Sequence, residues 1–134
     1  MPQRSMLSNI TTAALERGLS GVYARQVAIA DNLANVESAG YRARGVEFEV
    51  ELRGAVEAER SGRNTSGRGR SLVESVQPQM AERDTPSRRD GNNVSIETEL
   101  VEMSKSCVQY KMLARLLGKK LRMMSRAIGG GSAQ

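Results

Sequence analysis

An apolar repeat in the last third of the chain restricts its fold more than any other feature. Apolar residues recur there alternately four and three positions apart, over ten successive positions. This heptad spacing keeps one stripe of a long helix facing a partner helix. The pattern predicts a helix over 96–128, which is ~50 Å long at a rise of ~1.5 Å per residue. The ten positions are Ile96, Leu100, Met103, Cys107, Tyr110, Ala114, Leu117, Leu121, Met124 and Ile128.

The two ends of this segment also favour a helix. Ser95 is a candidate N-cap, because its hydroxyl can accept a hydrogen bond from an otherwise unpaired amide. Acidic residues follow it at the positive end of the helix dipole, and basic residues lie near the negative end, before the run GGGS. We interpret the acidic residues as a solvated first turn rather than as a carboxylate site; they are Glu97, Glu99 and Glu102.

A second, less regular apolar repeat lies near the start of the chain and predicts a helix from Met6 to Val36. Gln26 interrupts it and is expected to be partly exposed. Gly18 and Gly21 each weaken a helix by roughly 1 kcal/mol relative to alanine. The apolar positions of this second seam are Leu15, Leu19, Val22, Ile29, Leu33 and Val36.

The two seams have matched lengths, and they predict a mainly α fold in which the terminal helices pair as an antiparallel coiled coil. The paired helices would occupy 1–38 and 92–129, with a flexible tail at 130–134. A small irregular or β region would fill 39–91, with a flexible Arg/Gly-rich loop at 60–70. VEFEVEL at 46–52 alternates in the manner of a strand, and 71–80 is its candidate partner.

Composition supports an extended helix pair and gives no sign of an enzyme. Aromatic residues make up only 3% of the chain and tryptophan is absent, whereas large aromatic side chains normally dominate a compact core. The chain has no histidine, no cysteine cluster and no phosphate-binding glycine loop. Cys107 lies on the seam and is interpreted as a small core residue. We therefore predict no catalytic residue, metal site, cofactor or small-molecule substrate.

The basic character of the chain raises an alternative function, which is nucleic-acid binding. The net charge is +5, and RSGRNTSGRGR at 60–70 holds four arginines, three glycines and no acidic residue. Such Arg/Gly segments can bind phosphates. No aromatic residue is interleaved to stack on a base, so the pattern favours a solvated spacer. No apolar run approaches the ~18 residues of a membrane span, and SMLSNITTAAL is too polar for a signal-peptide core.

Two stretches resemble a known family. IADNLANVESAGYRAR, followed by VEFE, is similar to the N-terminal signature of bacterial flagellar rod and hook proteins. DGNNVSIETELVEMSKSCVQYKMLARLLGKKLRMM, at 90–124, is similar to the C-terminal signature of the proximal rod member of that family. Asp31 stands where an asparagine is common, and Ser38-Ala39 where Thr-Pro is usual.

The resemblance implies a structural subunit of the proximal rod of the flagellar basal body, in the periplasm. Such subunits stack helically with copies of themselves and with other rod proteins, forming a torque-transmitting axle whose terminal helices line the export channel. The implied partners are those rod proteins, the base formed by the membrane ring and export gate, and the flagellar type III export apparatus. Export would leave no cleaved signal peptide.

The family's turn motif corresponds here to Asn32, Asn35, Gly40 and Tyr41. The two asparagines are expected either to bond loop carbonyls or an adjoining subunit, or simply to end the helix; both readings stay open. Gly40 is available for a left-handed conformation. Tyr41 and Phe48 are expected to hold the returning chain against the helix pair.

Overall fold

Two long helices and a small middle region make up the molecule. The computed structural model describes residues 2–62 and 71–130, apart from the side chains of residues 2–8. Most of the described chain is helical, as predicted. In chain order the elements are α1 (Pro2–Ala34), β1 (Arg44–Glu47), α2 (Glu49–Arg60), α3 (Leu72–Ser75), β2 (Gln79–Glu82) and α4 (Ile96–Gly129).

α1 and α4 pack against each other in opposite directions. Gly18 lies beside Leu113, and Asn32 lies fourteen residues further along α1 and hydrogen-bonds Glu99, fourteen residues earlier on α4. The predicted antiparallel pairing is therefore confirmed, whereas coiled-coil geometry stays a prediction. Ser95 caps α4 as expected, since its hydroxyl accepts a hydrogen bond from the Thr98 amide at 3.4 Å.

The middle region differs from the prediction. Of the expected strand 46–52, only the first two positions belong to β1, and α2 begins at Glu49. The partly buried positions of α2 are 52, 55, 56, 58 and 59, which largely follow a helical period. VEFEVEL therefore spans a strand end and a helix start, and its alternation by itself could not separate them.

β1 pairs antiparallel with β2, with Val46 opposite Met80. Only the last two positions of the expected partner segment, 71–80, lie in β2. The first part of that segment forms the short helix α3, capped by Ser71 and anchored by the fully buried Val73. The sheet thus has two strands of four residues each.

A small apolar cluster joins α1 to β1, and it is built on a glycine. Val22, Ala28, Val46 and Phe48 are all buried within it. A Cβ on Gly21 would lie only 2.5 Å from ring carbons of Phe48, so the ring packs directly on the α1 backbone. Gly21 therefore weakens α1 but is required for this contact. Phe48 does hold the returning chain against the helix, as the sequence predicts.

Two predicted flexible segments fall largely outside the described residues. α2 ends at Arg60 and a turn follows at 61–62, but the rest of the Arg/Gly-rich loop, 63–70, is not described. The same applies to 131–134 of the predicted tail. Among the described helices, none has a stretch long and apolar enough to cross a membrane.

Candidate functional site

The family's turn motif forms a buried polar junction where α1 ends. Asn32 is fully buried, and its amide nitrogen donates to the Arg44 carbonyl at 2.8 Å and to a Glu99 carboxylate oxygen at 3.0 Å. Its amide oxygen accepts from the Arg44 amide at 2.9 Å and from the Tyr41 hydroxyl at 3.3 Å. Asn32 therefore bonds the loop backbone, one of the two roles left open by the sequence. All four of its hydrogen bonds join α1 to β1, α4 or the turn.

Asn35 takes the other role. Its amide donates to the Asp31 carbonyl at 2.8 Å, and its side-chain oxygen accepts from the Ser38 hydroxyl at 3.1 Å. These bonds are local and end the helix. Gly40 follows with φ of +72°, the left-handed conformation expected of it. The two asparagines of the motif thus divide the two predicted roles between them.

Sequence reasoning missed Asn92, which closes the same helix end from the other side of the chain. Asn92 is fully buried and donates to the carbonyls of Asn35, Val36 and Ser38 at 2.9, 3.2 and 2.8 Å. The same carbonyls also accept from the Ser38 amide, the Arg88 guanidinium and the Tyr41 amide, so Asn92 reinforces a helix end that these donors already hold. The sequence feature that could have revealed this role is the run DGNN. In it the Asp90 carboxylate accepts a hydrogen bond from the backbone amide of Asn92 at 3.0 Å, which tightens the turn.

Asn93 extends the junction toward β2. Its side-chain oxygen accepts from the Ala43 amide at 2.6 Å, and its amide donates to the Arg83 carbonyl at 2.8 Å and to the Thr85 hydroxyl at 2.9 Å. The neighbouring Gly91 has φ of +82°, and a Cβ there would lie 3.3 Å from the Gly40 Cα. The two turns, before β1 and before α4, therefore meet backbone to backbone.

Glu99 corrects the interpretation of the first turn of α4 as solvated. Glu97 is exposed, but Glu99 is 1% exposed, with its carboxylate 2.6 Å from an Arg83 guanidinium nitrogen and 3.0 Å from the Asn32 amide. A buried carboxylate is tolerated only when it is paired and hydrogen-bonded, and both conditions hold here. The partners lie sixteen and sixty-seven residues away, so no local pattern reveals them.

Arg25 forms a second connection that the sequence analysis did not find. Its guanidinium lies over the Phe48 ring at 5.2 Å from the centroid and donates to the Val46 carbonyl at 2.9 Å and to Gln109 at 3.4 Å. It also pairs with Glu49 at 2.5 Å. Partial burial opposes ionisation of Glu49, but the Arg25 hydrogen bond and backbone amides outweigh it, so the pKa of this carboxyl lies below its ordinary value.

The residues of α4 that face α1 differ from the predicted seam. They form a column in which each residue comes one position before a residue of the seam. Glu99 and Ser106 are buried and Leu113 and Lys120 half-buried, and we call these four residues the inner column. Met103, Leu117 and Met124 of the predicted seam are half-buried beside it, and Tyr110 is 39% exposed. Three of the four inner-column side chains are polar or charged, so an apolar pattern could not select them.

The other half of the predicted seam is exposed to solvent. We call it the outer column. Its first four members each come one residue after an inner-column residue, and its last member, Ile128, comes seven residues after Leu121. Cys107 is among them, so its interpretation as a core residue is wrong: Ser106 occupies the buried position instead. The outer column consists of Leu100, Cys107, Ala114, Leu121 and Ile128.

The exposed apolar surface of the molecule is concentrated on this helix. Among the described residues, fourteen large apolar side chains are exposed, and ten of them lie on α4. Ile96, at the start of the predicted seam, is 44% exposed and Ile128, at its end, 78%. The α1 seam behaves differently: Val22 and Ile29 are buried, and the rest are half-buried, namely Leu15, Leu19, Leu33 and Val36.

The arrangement is built to hold elements together rather than to bind a small group. Within residues 2–62 and 71–130, no three or more Cys, His, Asp or Glu side chains are placed to hold a metal ion. The buried polar groups of the junction bond to one another and to backbone. The longest apolar surface left exposed among the described residues is on α4.

Comparison with known proteins gives a consistent result. Similar proteins from several bacteria are described as flagellar basal body rod protein FlgB. The Bacillus subtilis protein is 27% identical over 119 residues, covering 87% of this chain and 92% of the relative. The Salmonella typhimurium protein is 29% identical over 120 residues, covering 81% and 85%. The Borrelia hermsii protein is 30% identical over 102 residues, covering 69% and 76%. No protein-family model matches the chain.

Proposed function

Because the chain belongs to the FlgB family of flagellar basal body rod proteins, we propose that it is a structural subunit of the proximal rod that assembles helically with copies of itself and with other rod proteins. In this role it forms part of the axle that transmits torque and of the wall that surrounds the export channel. It is exported through the flagellar type III apparatus without a cleaved signal peptide. Its further neighbours are the membrane ring and export gate at the base.

The exposed outer column supports this proposal most directly. α4 has 34 residues, and apolar side chains are exposed from Ile96 to Ile128, along its whole length. Monomeric proteins rarely leave so long an apolar surface uncovered, and such a surface marks a site of protein association. α1 packs against the inner column and reaches the outer column at Cys107, whose Sγ accepts from the Gln26 amide at 3.9 Å. A subunit that packs side by side with others would cover the outer column as well.

The junction supports the same proposal through rigidity. A subunit can build a regular helical lattice only if its two contact surfaces keep a fixed relation to each other, since heterologous contacts repeat the same rotation at every step. The buried side chains of Asn32 and Glu99 bond Arg44 of β1 and Arg83 just after β2, which fixes the small sheet against the helix pair, and Asn92 joins the end of α1 to the segment before α4. This network gives each copy the same angle between helix pair and sheet.

The test is complementation of a strain that lacks its own proximal rod subunit. The chain should restore swimming and basal bodies with rods. Leu121→Gln, in the outer column, should abolish both, whereas Met80→Gln on β2 should restore them. The two side chains are each 50% exposed, so both variants remove a similar apolar surface. A difference between them therefore reports the position of the residue in the outer column. Failure of the unaltered chain to restore rods, with normal expression and export, would reject the proposal.

A further inference from the structure

The middle of α4 carries a basic face with an apolar centre. Three large apolar side chains, Val108, Met112 and Leu116, are 67%, 55% and 47% exposed and border a shallow groove of about 430 Å³ with three basic residues. No acidic residue follows Glu102 in the sequence, and none of the three basic side chains forms an ion pair with a described residue. The basic face consists of Val108, Lys111, Met112, Arg115, Leu116 and Lys119.

The opposite charge lies in an open groove beside the first turns of α4. This acidic groove, of about 1050 Å³, runs between the two-stranded sheet, the first turn of α2 and the start of α4. Its two arginines are already paired, Arg25 with Glu49 and Arg83 with Glu99. Glu47, Glu51 and Glu82 form no ion pair with any described residue. Buried Val46 and Phe48 and exposed Val50 add apolar surface to its lining.

The two surfaces cannot meet within one molecule. The groove includes Thr98 and Glu102 of α4, and the centre of the basic face, Met112, is ten residues further along the same helix. At a rise of ~1.5 Å per residue this is a separation of ~15 Å, which a continuous helix keeps fixed. The basic face can therefore reach only the groove of a second molecule.

We propose that the basic face of one copy docks into the acidic groove of a second copy, head to tail. The proposal rests on the proposed function and specifies which surfaces of two adjacent subunits touch. The basic face, from 108 to 119, spans about three turns of helix. Because α1 packs against the other side of α4, the groove receives this exposed face rather than the whole helix. The docked pair keeps one free groove on the first copy and one free face on the second, so the same contact can repeat along a chain of copies.

The energetics combine both features of the surfaces. Burying Val108, Met112 and Leu116 supplies the apolar contribution. The opposed charges fix the direction of docking and disfavour face-to-face and groove-to-groove pairing, in which like charges would meet. Because the charges lie at an accessible surface, salt screens them. Self-association through this contact should weaken as the salt concentration rises.

The first experiment is disulfide crosslinking between copies, in a Cys107→Ser background. One copy carries Met112→Cys on the basic face and the other Val50→Cys in the groove, where the native side chain is 88% exposed. We expect a crosslinked pair in the mixture of the two. Met123→Cys replaces Met112→Cys as the control, because Met123 is 50% exposed on the same helix but outside the basic face. The proposal is overturned if the Met123→Cys control crosslinks equally well. It is also overturned if positions 112 and 50 do not crosslink in protein that sediments as oligomers.

The second experiment is a charge exchange. Reversal of Lys111, Arg115 and Lys119 to glutamate should lower crosslinking at least tenfold, and reversal of Glu47, Glu51 and Glu82 to lysine in the other copy should restore it. If a triple variant does not fold, Arg115→Glu with Glu51→Lys gives the same comparison. The proposal is overturned if charge reversal lowers crosslinking and the reversed groove does not restore it. It is also overturned if the basic face binds anionic vesicles or another rod subunit instead.

Complementation separates this proposal from the function on which it rests. If the unaltered chain restores rods but no crosslink forms between positions 112 and 50, the docking is wrong and the rod function stands. If the crosslink forms and is lost on charge reversal but the chain restores no rods, the docking stands and the rod function is wrong.

Discussion

At the scale of single residues, the structure gives roles to side chains whose sequence context suggested weakness or solvent exposure. Gly21 looks like a defect in a long helix, yet its missing Cβ admits the Phe48 ring. Glu99 looks like an ordinary first-turn acid, yet it is buried against Arg83 and Asn32. In both cases the decisive partner is distant in sequence. Composition and periodicity describe neighbours along a helix and are silent about such partners.

A pair of glycine substitutions separates helix propensity from packing. Gly54→Ala lies in α2 with open space around its Cβ, so it should raise the free energy of unfolding by up to about 1 kcal/mol through helix propensity. Gly21→Ala would make the same gain, but its Cβ would lie 2.5 Å from the Phe48 ring. Displacing the ring should give a net loss of about 1–3 kcal/mol. Urea denaturation measures both. Equal stabilisation by the two changes would contradict the close contact.

At the scale of elements, the helices with a clear period were predictable and the short elements were not. α1 and α4 begin and end within a few residues of their predicted bounds, since each repeats its apolar spacing over many turns and Ser95 supplies a cap. The middle region offers only four-residue strands, whose alternation overlaps the start of α2. The junction was half visible: Asn32 was singled out through the family motif, but Asn92 was not.

The side chain of Asn92 joins the end of α1 to the segment before α4, and its removal should loosen both. Asn92→Ala removes a fully buried side chain and its hydrogen bonds to three carbonyls at the end of α1, which should lower the free energy of unfolding by about 1–3 kcal/mol. Hydrogen exchange should increase most at 36–41 and 91–94. Asn9→Ala, at an exposed position of α1, is the matched control and should change stability by less than about 0.5 kcal/mol. A similar small effect of Asn92→Ala would mean that the junction does not hold these elements together.

At the scale of the whole molecule, the sequence predicted an apolar seam on α4 but not which part of the helix α1 covers. The heptad pattern chose an apolar pair of columns, whereas the fold turns toward α1 a column with buried Glu99 and Ser106 and half-buried Lys120. Glu99 is paired with Arg83 and Asn32, and the buried Ser106 hydroxyl has no hydrogen-bond partner among the described residues. The apolar outer column stays exposed. A sequence pattern reports all the surfaces that need covering, and it does not distinguish coverage within a subunit from coverage between subunits.

That distinction predicts opposite behaviour for two leucines eight residues apart on α4. Leu113 is half-buried and packs beside Gly18, so Leu113→Gln should lower the free energy of unfolding of the dilute monomer by about 1–2 kcal/mol. Leu121 belongs to the outer column and is 50% exposed, so Leu121→Gln should leave monomer stability within about 0.5 kcal/mol. In sedimentation at high protein concentration the order should reverse: Leu121→Gln should reduce self-association more than Leu113→Gln at a temperature where both are folded. If Leu121→Gln instead destabilised the monomer and left its association unchanged, the outer column would be part of the subunit's own core rather than a surface between subunits.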